Sequence, residues 1–280
     1  MIRYVDNELK DRLAEYVRQS SVFACRIACL LKSYGTGYSF ADFYLQLDSS
    51  GKPTAAAVKY YSDMTIMLSD GCDTQEILEF IGMTAPSGIM CPPELFADTG
   101  RAFSAAGNFS IRECVIMKLT SPCCDASHGG NITESPPLNR VWELISSCGD
   151  DGLSVPAYED FLPDISHKLR HGTAMLCAYT LGGAVAGAAM TVAQSDTCAL
   201  IGAVAVSKEH RRKGIGSACI RYLCARLNEK GISDIYILRE ADKNELFYCS
   251  LGFTNSGQGD FCEKVPPTPP KTMFSELKRL

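Results

Sequence analysis

The chain has 280 residues and a formal net charge of −5, and 46% of its residues are hydrophobic. This length is sufficient for two domains, each able to bury its own core. The acidic balance argues against general nucleic-acid binding, because that mode requires a cationic footprint that displaces counterions. We therefore expect small-molecule or protein partners and no nucleic acid.

The 14 cysteines lie mostly inside apolar runs, without the dense loop framework of a small secreted domain. The first six residues contain no apolar signal core, so free thiols and a cytoplasmic location are expected. Residues 173–195 are uncharged and could be taken for a membrane helix. Their weakly apolar composition and the turn at Leu181-Gly182-Gly183 favour two buried strands instead, and no membrane partner is expected.

The first half is predicted to be mainly β-structure after an initial helix. In chain order we expect a helix at 7–19, strands at 22–31, 40–47, 55–61 and 64–68, a helix from Asp73 to about 81, and strands near 89 and at 111–119. A hairpin turn at 48–53 joins two of the strands. The pattern Asp73-Thr74-Gln75-Glu76 has the character of a capping box.

Residues 121–137 are rich in Pro, Gly and Ser and show little periodicity, which is typical of a linker. We therefore predict four segments: a domain at 1–125, a linker at 126–137, a domain at 138–262 and a Pro-rich tail at 263–280.

Two groups of residues have side chains of the types that bind metals. Cys114, Cys123, Cys124 and His128 lie near the linker, and their spacing matches no recurring zinc pattern. His167 and His171 are four residues apart on a predicted helix but lack the glutamate of His-Glu-x-x-His. We expect no metal, and we expect the two histidines to be surface residues near the carboxyl end of their helix.

The second half is predicted to alternate between strands and helices. In order, we expect helices at 138–148 (with Trp142) and 156–169, strands at 173–180, 184–193 and 198–206, a helix at 214–230, a strand at 233–239, a helix at 242–250 and a last strand from Phe253. This order predicts a mixed α/β sheet covered by helices on both faces.

A basic glycine turn at 211–217 joins the strand ending at Val206 to the following helix. The first turn of a helix has unpaired N–H groups and favours negative charge, and glycines at 214 and 216 would let a phosphate approach them. The turn could hold a pyrophosphate, or it could be a basic surface cap. There is no P-loop string, and Cys219 replaces the third glycine of a dinucleotide fingerprint.

Two motifs in the second half resemble the signatures of GCN5-related N-acetyltransferases. Arg-Arg-Lys-Gly-Ile-Gly at 211–216 matches the family pattern Arg/Gln-x-x-Gly-x-Gly/Ala, and Tyr-Cys-Ser-Leu-Gly-Phe at 248–253 matches Tyr-x-x-x-Gly-Phe. The resemblance spans 138–262 and implies an acyl-CoA acyltransferase fold. The first half has no such motif, but its element order is compatible with a degenerate copy of this fold, as in tandem proteins.

The resemblance implies an acetyl-CoA site in a cleft between two diverging strands. The residues expected to bind acetyl-CoA are Val204, Ala205, Val206, Arg211, Arg212, Lys213, Gly214, Ile215, Gly216, Ser217 and Asn244. The resemblance also implies direct transfer of an acetyl group to an amine of a small molecule or a protein. Tyr248 would be the acid that protonates the leaving thiolate.

The general base is not identified by the sequence. The strand at 200–206 contains no acid, so Glu209 and Glu240 are the candidates, together with a water chain. The missing strand acid leaves open a non-catalytic acyl-CoA sensor or regulatory module, and a dinucleotide enzyme is the third hypothesis.

Overall fold

The computed structural model describes residues 1–96, 109–121, 131–149 and 155–264. Within them, twelve strands form one continuous sheet: β1 Ile2–Tyr4, β2 Ala41–Leu47, β3 Pro53–Tyr60, β4 Asp63–Leu68, β5 Gly88–Cys91, β6 Phe109–Leu119, β7 Ile132–Thr133, β8 Leu176–Leu181, β9 Ala184–Gln194, β10 Cys198–Val206, β11 Asp234–Glu240 and β12 Phe253–Lys264. The helices are α1 Lys10–Tyr16, α2 Val22–Tyr34, α3 Thr74–Thr84, α4 Leu138–Ser147, α5 Tyr158–Arg170, α6 Ile215–Glu229 and α7 Glu245–Cys249.

The strand order across the sheet is β1-β2-β3-β4-β5-β12-β6-β11-β10-β9-β8-β7. Two neighbouring pairs are parallel, β4 with β5 and β10 with β11, and the other pairs are antiparallel. A helix connects each parallel pair, α3 in the first half and α6 in the second. The same strand–helix–strand unit therefore occurs once in each half, and the predicted mixed α/β fold is confirmed.

The two halves exchange strands near the middle of the sheet. Strand β6 comes from the first half, yet it pairs with β11 on one side and β12 on the other. Strand β12 comes from the second half and also pairs with β5. The chain division at 121–137 remains a prediction; the sheet itself is continuous across both halves.

The predicted strand at 22–31 is wrong, because these residues lie in helix α2. Ser21 caps this helix by accepting a hydrogen bond from the Phe23 N–H. Helix α2 packs on β3, β4, β9 and β10, and most of its residues are buried. A helix that is apolar on nearly all sides lacks the polar stripe that reveals a period of 3.6, so its sequence looks like a buried strand.

The other predicted elements are present with shifts of a few residues at their ends; the first helix spans Lys10–Tyr16, and α7 begins at Glu245. Asp73 caps α3 as expected, accepting from the Glu76 N–H. The Glu76 carboxylate does not complete the capping box but accepts from Ile2 N–H and Gln46.

The uncharged run at 173–195 contains strands β8 and β9, as predicted, with Gly182 and Gly183 at positive φ in the turn. Among the helices that the structure describes, none is both long enough and apolar enough to cross a membrane.

Trp142 connects α4 to the start of α5. It donates its Nε1–H to the Pro156 carbonyl and packs edge-on against the Tyr158 ring.

All twelve cysteines in the described residues are free thiols. Those residues contain no cluster of three potential metal ligands. Cys123, Cys124 and His128 lie outside the described residues, whereas the Cys114 thiol donates to the Gly259 carbonyl. His167 and His171 stack at the end of α5. His171 is exposed as expected, but His167 is not a surface residue, because it is half-buried against the Tyr34 ring.

A half-buried carboxylate connects the two halves on one face of the sheet. Asp164 of α5 accepts hydrogen bonds at 2.5 Å from the hydroxyls of Tyr34 and Tyr60, which belong to the first half. The Lys168 ammonium lies 2.8 Å from its other oxygen. Burial acts to raise the pKa of Asp164, but Lys168 and the two hydroxyls outweigh it, so the pKa is lowered.

We predict that Asp164→Asn lowers the free energy of unfolding by about 3 kcal/mol near neutral pH, because it leaves Lys168 buried without a counter-charge. The lowered pKa means that the carboxylate stabilises the fold above its unfolded-state pKa of about 3.9. The difference from wild type should therefore shrink as the pH falls through the folded-state pKa. Urea unfolding across a pH series measures both effects.

The matched control is the double variant Asp164→Asn, Lys168→Met, which removes both charges and should recover most of the lost stability. A single variant as stable as wild type would contradict the role of this contact between the halves.

Candidate functional site

A cleft opens where β10 separates from β11. The two strands pair in parallel only as far as Ile201 and Ile237. Beyond that point β10 has an irregular register with β9 between Gly202 and Ala205, and Ala203 adopts a positive φ of 48°. Such bulges bend a strand away from its neighbour. The resulting cleft has a volume of about 920 Å³, which is in the range of ligand sites.

The cleft brings together nearly all of the residues predicted from the sequence. It is lined by Val204, Ala205, Val206, Arg211, Arg212, Gly214, Ile215, Gly216, Ser217, Asn244 and Tyr248. Lys213 is exposed and is not among the lining residues. The basic turn and the Tyr248 motif, more than 30 positions apart in the sequence, thus face one space.

The basic glycine turn presents the amino end of α6 to this cleft. Arg212 and Gly214 adopt positive φ angles of 62° and 80°, and Gly214 occupies the N-cap position of α6. No side chain caps the helix, so the N–H groups of its first turn are available to an acceptor in the cleft. Arg211 lines the cleft but donates its Nε–H to the Val206 carbonyl at 3.1 Å. It therefore also fixes the turn to the end of β10.

The close approach of α6 to the strands depends on Gly187 and not on Gly216. A Cβ at Gly187 in β9 would collide with the Ile215 side chain at the start of α6. A Cβ at Gly216 would lie 3.5 Å from Cγ2 of Val206, an ordinary contact. Gly187 was not identified from the sequence, because an isolated glycine in a strand does not indicate which helix approaches it.

Tyr248 lies on α7, with 9% of its surface exposed, and packs against Phe247 and Phe253. Among the described residues, no hydrogen bond to its hydroxyl is present. Burial raises the pKa of Tyr248, so the phenol stays protonated through the neutral range. Asn244 precedes α7 in the left-handed conformation and lines the same cleft.

The two candidate bases have different positions. Glu240 lines the cleft, and its carboxylate lies 2.6 Å from the Lys243 ammonium and 3.6 Å from Arg112. The hydrogen bond from Lys243 lowers the pKa of Glu240. Glu209 is exposed and does not line the cleft, and a hydrogen bond from its own backbone N–H lowers its pKa.

One wall of the cleft was missed by the sequence analysis. It is formed by Arg112, Glu113 and Cys114 of β6 and by Phe261 of β12. Beside this wall, burial raises the pKa of the Asp260 carboxyl, with a smaller effect from Glu113. Nothing in the sequence indicates that a strand of the first half pairs with β11, so these residues could not be assigned to the site.

The equivalent turn in the first half, between β4 and α3, is acidic. Asp73 accepts from the Glu76 N–H at 3.1 Å, and the Glu76 carboxylate lies beside the same helix end. The side chain of Asp73 therefore occupies the position where the second half leaves its helix uncapped. This turn lacks the features of an anion site.

Comparisons with known proteins agree with this geometry. Residues 138–253 match the model of the acetyltransferase (GNAT) family. No curated protein sequence matches the chain.

Three solved structures show the fold over nearly the whole chain. A Drosophila protein is 11% identical, with a TM-score of 0.67, over 95% of this chain and 99% of its own. A GCN5-related N-acetyltransferase from Sphaerobacter thermophilus is 13% identical, with a TM-score of 0.60, over 96% of both chains. A tandem GNAT protein from the clavulanic acid biosynthesis pathway is 13% identical, with a TM-score of 0.57, over 96% of this chain and 100% of its own.

The fold resemblance extends through the first half, and the family match covers the half that contains both motifs. Residues 138–253 therefore form a domain of the acetyltransferase (GNAT) family, within a chain that has a tandem GNAT fold.

Proposed function

We propose that this protein is an N-acetyltransferase that transfers an acetyl group directly from acetyl-CoA to an amine of a small molecule or a protein. The observation that supports this most is the uncapped amino end of α6, which opens into the same cleft as Tyr248. A pyrophosphate there would accept hydrogen bonds from the N–H groups of 215–217, with the Arg212 guanidinium nearby. The pantetheine arm would follow the free edge of β10 toward Tyr248.

The chemistry needs one proton donor and one proton acceptor. When bound, acetyl-CoA supplies an activated acyl group; an amine attacks its carbonyl carbon, so that a C–N bond forms and the C–S bond breaks. Tyr248 is suited to give its hydroxyl proton to the departing sulfur, because its raised pKa keeps it protonated. The amine's proton passes to a carboxylate of the cleft wall, either Glu113 or Glu240, directly or through water.

The first half contributes a wall of the cleft rather than a second cofactor site. Strand β6 places Arg112 and Glu113 beside the diverging strands. The acidic turn at α3 would repel a pyrophosphate. We infer one acetyl-CoA per chain.

A non-catalytic acyl-CoA sensor is the second candidate. It is favoured by one observation: the Glu240 carboxylate is held by Lys243 and Arg112, which makes it a weak base. Calorimetry with acetyl-CoA, followed by a thiol-release assay across a panel of amines, separates the two functions. Binding with no release of CoA for any amine would favour the sensor, and failure to bind any CoA ester would exclude both.

The pyrophosphate position is tested at Gly216. We predict that Gly216→Leu weakens CoA binding at least about tenfold, because the larger side chain projects from the first turn of α6 into the cleft. Gly216→Ala is the matched control: its Cβ makes only ordinary contacts, so binding should be retained. Tight CoA binding by a folded leucine variant would contradict the assignment.

The role of Tyr248 is tested by Tyr248→Phe. We expect kcat to fall by about 10²-fold or more, with the affinity for acetyl-CoA unchanged, because the ring remains and only the proton donor is lost. Wild-type kcat should decline as the pH rises through the raised pKa of Tyr248, and the variant should lack this decline. Equal turnover by the two proteins would show that another group protonates the thiolate.

A further inference from the structure

Arg239 is a buried arginine in the wall of the cleft. It lies near the end of β11, with 6% of its surface exposed, and is one of the lining residues. Alternate residues of a strand share a face, so Arg239 points to the same side as Ile237. Ile237 belongs to the cluster that contains Tyr248. The guanidinium is therefore placed on the Tyr248 side of the sheet.

The guanidinium holds the end of β11 and the start of α7 together. Its Nη1 donates to the carbonyl oxygen of Glu240, the last residue of β11, and to that of Ala241 in the connection to α7. Its Nη2 lies 3.1 Å from the Glu245 carboxylate. Glu245 is the first residue of α7, and Tyr248 follows three positions later on the same short helix. A shift of Arg239 would therefore move the helix on which Tyr248 lies.

The third nitrogen of this guanidinium, Nε, donates to no partner. Within the part of the chain that the structure describes, Arg239 Nε is one of only two buried side-chain nitrogen or oxygen atoms without a hydrogen bond. A buried donor on a charged group is costly to leave unpaired, and such cases in native proteins call for an explanation. An acceptor oxygen on a ligand in the cleft would remove that cost.

We propose that Arg239 both positions Tyr248 through α7 and donates its Nε–H to a carbonyl oxygen in the pantetheine arm of bound acyl-CoA. The inference rests on the proposed acyl-CoA site. The pantetheine arm is the part of CoA that would pass between β10 and β11, next to Arg239. Its amide and thioester carbonyls are acceptors, and a guanidinium N–H is a strong donor.

The experiment compares Arg239→Lys with wild type, using two probes in calorimetric titrations: CoA, and adenosine 3′,5′-bisphosphate, which lacks the pantetheine arm. The lysine keeps the charge and loses the Nε–H. We expect at least tenfold weaker CoA binding by this variant, with unchanged affinity for the bisphosphate. Arg140→Lys, an exposed arginine paired with Glu143, is the matched control and should bind both probes as wild type does.

The positioning role is tested by Glu245→Gln, which keeps the Nε–H and removes the ion pair to α7. We expect kcat to fall several-fold while CoA affinity is retained. The high-pH limb of the kcat profile should also shift, because the surroundings of the Tyr248 hydroxyl change. An unchanged kcat and pH profile would overturn the positioning role.

A further measurement uses the wild-type chain, so that the inference stays testable even if Arg239→Lys does not fold. In ¹H–¹⁵N spectra of arginine side chains, the Arg239 Nε–H signal should shift and exchange more slowly with water when CoA is added. An unchanged signal at saturating CoA would overturn the hydrogen bond, as would equal CoA affinity of Arg239→Lys and wild type. Failure of wild type to bind CoA would instead refute the proposed function.

Discussion

The separation of β10 from β11 is the constraint on which the rest of the site depends. The two parallel strands pair only as far as Ile201 and Ile237. Beyond these residues, the backbone N–H and C=O groups that β10 and β11 turn toward each other have no strand partner. Buried backbone groups require partners, so such an edge is stable only where water or a ligand can reach it. The uncapped end of α6 and Tyr248 both line this opening. The bulge in β10 thus creates the space that the two motifs share.

The exchange of β6 and β12 explains why the cleft belongs to the whole chain. Strand β11 would be an edge strand if β6 did not pair with it, and its side of the cleft would have no wall. The two halves also meet at Asp164, where a carboxylate of the second half accepts hydrogen bonds from two tyrosine hydroxyls of the first half. The first half has the architecture of the fold, but its own helix turn is acidic.

The sequence predicted those elements and motifs whose signal lies within a short stretch of the chain. The order of strands and helices from 138 onward, the turn at Gly182 and Gly183, and the cleft position of Gly214, Gly216 and Tyr248 agree with the structure. The sequence pattern predicted a strand where the structure has helix α2, because this helix is apolar on nearly all sides and shows no helical period. Long-range pairing has no local signature, so neither the β6 wall nor the environment of Arg239 could be predicted.

Amide hydrogen exchange of the whole chain with and without CoA is the most direct test of the proposed acyl-CoA site, because it locates the ligand without a substitution. We predict slower exchange on CoA addition at two places, residues 202–206 of β10 and residues 214–217 at the start of α6. The equivalent acidic turn at 69–74 should not change. Protection at 69–74, or saturating CoA without protection at 214–217, would contradict the proposed acyl-CoA site.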